Sequence, residues 1–152
     1  MEIKINWNGG MSFSGVGDSG FVQKMDADSV VGGENTGARP LEFLAMGLAG
    51  CTGMDVISIL QKKKQSVSNF QVFVHVDRAE EHPKVFVNAL VEYIVTGKDV
   101  DESALLRAIE LSAEKYCPAQ AMLSKAFPIQ LVYKIIDENG STLVKEGRYT
   151  PK

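Results

Sequence analysis

The sequence predicts a two-layer α+β fold, and three observations predict it. Period-two alternation and helical periodicity come in blocks: strands, a long helix, two strands, a helix, a short helix, a strand. A doubly wound parallel sheet would instead alternate strand and helix singly. The length, 152 residues, suits one domain with an ordinary core. No repeat or linker divides it, so residues 1–152 read as one domain, with about 138–152 as a peripheral C-terminal tail.

The elements follow in order. Residues 2–31 read as a β-meander: Ile3, Ile5 and Trp7 alternate with polar residues, Asn8-Gly9-Gly10 is a turn signal, Met11, Phe13 and Gly15 continue, and a third run spans Phe21 to Val31. Gly32 to Ala38 is a polar, glycine-rich loop. Pro40 suits a first helical position, where its missing N–H costs nothing. From there to about Lys63 the spacing is helical, with Leu44, Leu48, Cys51, Asp55 and Ser58/Ile59 as the stripe. Phe70 to Asp77 and Val85 to Thr96 alternate as strands of an antiparallel sheet, joined through Glu80-Glu81-His82-Pro83. A second helix runs from Asp101 to about Tyr116, capped by Asp101 or Asp99. Cys117-Pro118 opens a short helix to Lys125, Ile129 to Ile136 is a strand, and Asn139-Gly140 suggests a final hairpin.

Composition excludes several classes. A net charge of −3 and a pI near 5.4 leave no basic field for nucleic acid, and Lys62, Lys63 and Lys64 read as a helix end complementing its dipole. Met1 to Ile5 has no signal-peptide pattern. Phe43 to Leu60 is near the lower length limit for a membrane span, but it contains Asp55 and many small residues, which suits a helix buried in protein. The expected location is cytoplasmic, where a permanent disulfide is improbable. Gly15-Val16-Gly17-Asp18-Ser19-Gly20 matches G-x-G-x-x-G, but no helical period follows, so it reads as a glycine-rich hairpin and not a dinucleotide site. His75 and His82 with two scattered cysteines lack zinc-ligand spacing. Neither metal nor cofactor is expected.

Two cysteines in a reducing compartment are either small inert hydrophobes or a reactive pair. Cys51 sits mid-helix, away from the N-terminal partial charge that favours a thiolate. Gly47, Gly50 and Gly53 surround it, each costing roughly 1 kcal/mol of helix propensity, which suggests close approach of another backbone, from a second helix or subunit. Cys117 stands at a helix start, where free N–H groups and the dipole favour a thiolate, so local reasoning makes it the more acidic thiol. It equally suits a cysteine that simply packs.

The stretch Gly37-Ala38-Arg39-Pro40-Leu41-Glu42-Phe43-Leu44-Ala45-Met46-Gly47-Leu48-Ala49-Gly50-Cys51 closely resembles the central helix of the OsmC/Ohr family, in which a proline eleven residues before the first redox cysteine opens the helix. Cys117-Pro118 resembles the family's second cysteine. The element order matches over nearly the whole chain except its last dozen or so residues. The resemblance implies an intertwined homodimer with active sites at the subunit interface. It also implies that Cys51 attacks an organic hydroperoxide, Cys117 resolves the sulfenic acid to a disulfide, and a dithiol reductant resets the pair.

Family peroxidases carry a glutamate directly after the proline and an arginine from the N-terminal strands. Here Leu41 follows Pro40, the glutamate is Glu42, segment 1–31 has no arginine, and Arg39 is the nearest substitute. Pro-Leu-Glu resembles a branch described as redox proteins. Arg39 and Glu42 are the expected substrate-binding residues, about 18 and 13 Å along the axis from Cys51, so they could serve only across a dimer interface. Two alternatives stand beside peroxide reduction. One is a non-enzymatic dimer holding an apolar small molecule among Phe43, Met46, Leu48 and Met54. The other is dithiol–disulfide exchange with protein partners. No nucleic-acid or membrane partner is expected.

Overall fold

Alternating apolar residues form strands where expected at the start of the chain. In the computed structural model, which describes residues 1–150, β1 (Ile3–Gly9), β2 (Ser12–Gly17) and β3 (Val22–Met25) make an antiparallel sheet in that order. Gly15 allows β1 and β3 side chains to meet over β2: a Cβ there would lie 2.7 Å from Ile5 Cδ1 and 2.9 Å from Met25 Cε. Gly15 and Gly17 lie in a strand and Gly20 turns with φ +80°, so no helix follows the glycine-rich motif. The chain forms two compact units, Met1–Ala45 and Met46–Lys152.

In the first unit the third run ends at Met25, short of the expected Val31, and Asp26 supplies the reason. Its buried carboxylate accepts from the backbone N–H of Ala27 (2.7 Å), Glu34 (3.1 Å) and Thr36 (3.0 Å) and from Thr36 Oγ1 (2.8 Å). Side-chain bonds to nearby backbone compete with strand pairing and gather residues 26–38 into an ordered loop. Ser29–Val31 is a single 3-10 turn capped by Asp28.

The long helix α1 (Pro40–Lys62) has the expected bounds. Its length and composition would let it cross a membrane, yet Leu48, Thr52, Gly53, Val56 and Leu60 are buried in protein. That stripe differs from the expected one: Leu48, Thr52, Val56 and Leu60 repeat every fourth residue, whereas Cys51 is half-buried on its flank and Leu44 is exposed. The helix is apolar nearly all round, so periodicity alone could not choose the inward face.

In the second unit β4 (Ser66–Arg78) and β5 (Phe86–Lys98) form the expected hairpin. Next come α2 (Glu102–Leu111), five residues of π-helix over 112–116, α3 (Pro118–Leu123), β6 (Ile129–Ile136) and β7 (Leu143–Tyr149). Asp101, not Asp99, caps α2: its Oδ1 accepts from Ser103 N at 2.9 Å and its Oδ2 from Ser103 Oγ at 2.8 Å. The sheet order is β4-β5-β6-β7.

This sheet is mixed and not antiparallel throughout, because β5 and β6 pair in parallel. A parallel pair needs a long crossover, and α2 and α3 provide it. Of the tail, residues 143–149 form a strand against β6 after a turn at Gly140, while residues 151–152 lie outside the described part. The core gathers Leu48, Val56 and Leu60 of α1, Val91, Tyr93 and Val95 of β5, Leu105 and Ile109 of α2, and Leu131 and Ile135 of β6. Each such aliphatic side chain contributes about 1.5–3 kcal/mol on full burial.

The hydrogen bonds from Thr36 and its neighbours hold the Asp26 carboxyl down to about 2. A folded-state pKa below the unfolded one gives stability that is present above the unfolded value and lost as pH falls through the folded one. Asp26→Asn should therefore melt below wild type at neutral pH. The difference should narrow between about pH 4 and about pH 2, checked by thermal circular-dichroism melts across that range.

Candidate functional site

Helix α1 carries Cys51, Thr52 and Asp55 within little more than one turn, and residues four apart on a helix are neighbours. Opposite them, the π segment presents Ser112 and ends at Cys117. The two are tied by a π-type bond in which Cys117 N–H donates to Ser112 C=O at 2.9 Å. Such π turns are rare and occur often at functional sites. Pro118 is the first residue of α3, as its missing N–H predicts. Cys117 is the N-cap, with Gln120 N–H donating to its Sγ at 3.3 Å.

The structure brings Cys51 and Cys117 together, both as free thiols, close enough to interact by hydrogen bond and charge. Their surroundings differ. Cys117 is 2% exposed, and Cys51 is half-buried. Burial pushes the Cys117 thiol well above its usual range. The hydrogen bond to Cys51 and the charges of Cys51 and Asp55 push the same way, against the single N–H of Gln120.

This corrects the helix-start argument, which made Cys117 the more acidic thiol. An end-of-helix charge is typically worth about 0.3–1 kcal/mol at exposed sites, and α3 has only six residues. Desolvation of a buried thiolate is larger. Cys117 is the thiol that keeps its proton.

Behind the cysteines runs a chain of hydroxyls that the sequence did not reveal. Tyr93 Oη lies 2.6 Å from Thr52 Oγ1, Thr52 Oγ1 lies 2.9 Å from Ser112 Oγ, and Ser112 Oγ donates to Asp55 Oδ2 at 3.0 Å. A carboxylate only accepts, and each hydroxyl has one proton. Ser112 spends its proton on Asp55, so Thr52 must donate to Ser112 and Tyr93 to Thr52. The chain therefore has one direction and ends on Asp55. Burial keeps the Tyr93 phenol protonated, and the charges at Cys117 and Asp55 reinforce it. Ser and Thr inside apolar stretches looked like small packing residues. Only Asp55 within an apolar helix was a signal that could have been followed.

Arg39 and Glu42 belong to the first unit and have partners there. Arg39 Nη1 donates to Gly37 C=O at 3.1 Å, and its Nη2 meets Asp28 Oδ2 at 3.2 Å and Asn35 Oδ1. Glu42 Oε2 accepts from Arg39 N–H at 2.9 Å, which is the return half of a capping box at the start of α1. Of the glycines near Cys51, a Cβ on Gly47 or Gly50 would meet nothing within 4 Å, whereas one on Gly53 would lie 3.2 Å from Val72 Cγ2. Gly50, Gly53, Met54, Phe70 and Val72 border an open apolar hollow of about 400 Å³. Leu48 is in the core, so it does not line a cavity with Met54. Among the described residues no group of three His, Cys, Asp or Glu could hold a metal ion.

A long mid-chain helix bearing one thiol, apposed to a second thiol at a cysteine-proline helix start, is the arrangement of an OsmC-like fold. The family described as OsmC-like protein matches residues 33–132, and the chain belongs to that family. It is 38% identical to Protein YhfA of Escherichia coli K12 over 136 residues, covering 90% of this chain and 98% of that protein. A crystal structure of a hypothetical protein from Aquifex aeolicus is 29% identical with a TM-score of 0.79, covering 90% of this chain and 96% of that one. An organic hydroperoxide resistance protein from Legionella pneumophila shares the fold at 16% identity and TM-score 0.63, covering 89% and 95%.

Thr52→Val keeps the shape and removes the central hydroxyl, leaving the buried Tyr93 donor without an acceptor. It should cost about 1–3 kcal/mol, measured by urea unfolding, whereas a surface threonine change should be within experimental error.

Proposed function

We propose that this protein reduces organic hydroperoxides, with Cys51 as the attacking sulfur and Cys117 as the resolving one. The observation that carries the reading is the pairing itself: two free thiols in direct interaction, one half-buried and one sealed and protonated. The Cys51 thiolate takes the distal oxygen of the O–O bond. The alkoxide leaves and is protonated to the alcohol, and Cys51 becomes a sulfenic acid. Cys117 then attacks the Cys51 sulfur, its proton leaving with the displaced hydroxide as water, and a disulfide forms. A dithiol reductant exchanges with that disulfide and restores both thiols.

In this reading the working form is a homodimer in the reducing cytoplasm. Met46 (55% exposed) and Met54 (74% exposed) leave apolar surface along α1 that a second copy would cover, and Ile3, Ile5, Trp7 and Phe21 do the same in the first unit. Arg39 and Glu42 would reach the hydroperoxide from that second copy; the Arg39 guanidinium has five donors, not all of them spent within its own loop. The family's hydroperoxide resistance proteins support the substrate class.

Mixing reduced protein with one equivalent of an alkyl hydroperoxide, and following free thiols and intact mass, tests the reading. Both thiols should disappear promptly with a mass loss of two hydrogens. Cys51→Ser should abolish peroxide consumption, and Cys117→Ser should stop at a sulfenic acid on Cys51. Thiols that persist for hours would reject peroxide reduction. A copurifying apolar ligand would then favour a binding role, and a mixed disulfide trapped in Cys117→Ser would favour exchange with protein partners.

A further inference from the structure

We propose that the C-terminal strand β7 braces the resolving thiol, with Tyr149 as the positioning residue that holds the π segment leading into Cys117. The inference deepens the hydroperoxide reading and rests on its pairing of Cys51 with Cys117, but its test needs no peroxide.

The brace is built from β6 and β7 against α2 and the π segment. Tyr133 and Gly147 face each other across the β6–β7 pair. A Cβ on Gly147 would lie 2.5 Å from Tyr133 Oη and 2.8 Å from its Cζ, so the glycine is what lets the Tyr133 ring lie across β7. From there Tyr133 Oη donates to Glu102 Oε1 at 2.7 Å, and Lys145 Nζ stands 3.6 Å from Glu102 Oε2. Glu102 is the first residue of α2, so these contacts hold the helix start.

Two residues further along β7, Tyr149 packs against the core and its Oη donates to Glu114 Oε1. Glu114 is the middle residue of the π segment over 112–116. Glu102 and Glu114 are separated by roughly 18 Å of helix, so the crossover is held at two distant points.

The second point bears on the chemistry. A π turn has poor hydrogen-bond geometry and depends on its surroundings. Thr52 and Asp55 hold this one from inside through Ser112, and Tyr149 holds it from outside through the exposed Glu114. Cys117 takes its position from the segment, because its N–H closes the π turn on Ser112 C=O at 2.9 Å. Disulfide formation needs Cys117 to meet Cys51, and how often it does so sets the effective concentration of one thiol for the other. A braced segment has already lost the freedom that a disulfide would remove, so the disulfide is favoured. Strand β7 also lies beyond residues 33–132, the part matched to the family.

The test equilibrates the full-length protein in mixtures of glutathione and glutathione disulfide, quenches with acid and reads the mass loss of two hydrogens. Each protein disulfide formed reduces one glutathione disulfide to two glutathiones, so the midpoint reports the effective concentration of the pair. Tyr149→Phe removes only the phenol oxygen and keeps the packed ring. It should move the midpoint to more oxidising mixtures, with an equilibrium constant about three- to tenfold lower. Gly147→Ala, which displaces Tyr133, should shift it the same way. Arg148→Gln, on the opposite face of β7, should leave it unchanged.

If Tyr149 only stabilises the fold, urea unfolding of Tyr149→Phe will show the reduced and oxidised forms weakened equally, with the glutathione midpoint at its wild-type value. That result would overturn the proposal, and Gly147→Ala decides it in the same way should Tyr149→Phe not fold. Wild type that forms no Cys51–Cys117 disulfide would overturn the proposal and the thiol pairing together. A shifted midpoint in a protein that consumes no hydroperoxide would support the brace and count against the hydroperoxide reading alone.

Discussion

Ser112 is bonded in two directions at once, and the arrangement of the thiols depends on that. Its carbonyl takes the Cys117 N–H through the π-type bond, while its hydroxyl joins Thr52 and Asp55 on α1. A π turn has poorer hydrogen-bond geometry than an α turn and is kept only where surroundings hold it. Here a buried polar network holds it, and such a network is favourable only when every member is satisfied. Moving Ser112 would leave the Thr52 hydroxyl and the Asp55 carboxylate short of partners and carry Cys117 away from Cys51. Packing and chemistry therefore impose the same constraint.

That joint makes two chemically identical side chains unequal. Cys117 is a helix cap with one N–H on its sulfur, which alone would favour the thiolate. It is also almost fully enclosed and faces both another thiol and a carboxylate. Desolvation and like charge outweigh one hydrogen bond and the dipole of a six-residue helix, so the cap makes Cys117 well placed without making it acidic.

Much of the fold was legible because it was written in local signals. Pro40 and Lys62 bound α1, Asp101 caps α2, Pro118 starts α3 and the β6 run is unbroken. What local signals could not supply was choice among equals. An all-apolar helix offers no polar face to exclude, so its inward stripe was read one position away. The parallel pairing of β5 and β6 depends on a crossover direction that neither strand records. At the site, the cysteines were visible as a pair, but Thr52, Ser112 and Tyr93 were not. A hydroxyl becomes informative only when three elements bring its partners within 3 Å, and those partners are separated by up to sixty positions. Asp26 was hidden similarly, since its four donors come from backbone and side chain up to ten residues on.

The position of acidic residues along α1 decides how this chain differs from the pattern it otherwise matches. Leu41 occupies the place directly after Pro40, and Glu42 is the third residue of the helix. There its carboxylate has a backbone N–H to satisfy, that of Arg39 at 2.9 Å. A capping carboxylate stabilises a helix start by taking an orphan donor and complementing the dipole, and one of its oxygens is then committed. Asp55 is the other acid of the helix, and it has the opposite environment: mid-helix, half-buried, bonded to a hydroxyl that already bonds elsewhere. A carboxylate in that setting adds little to helix stability and costs desolvation. Its place is accounted for by the hydroxyl chain from Tyr93, Thr52 and Ser112, which ends on it.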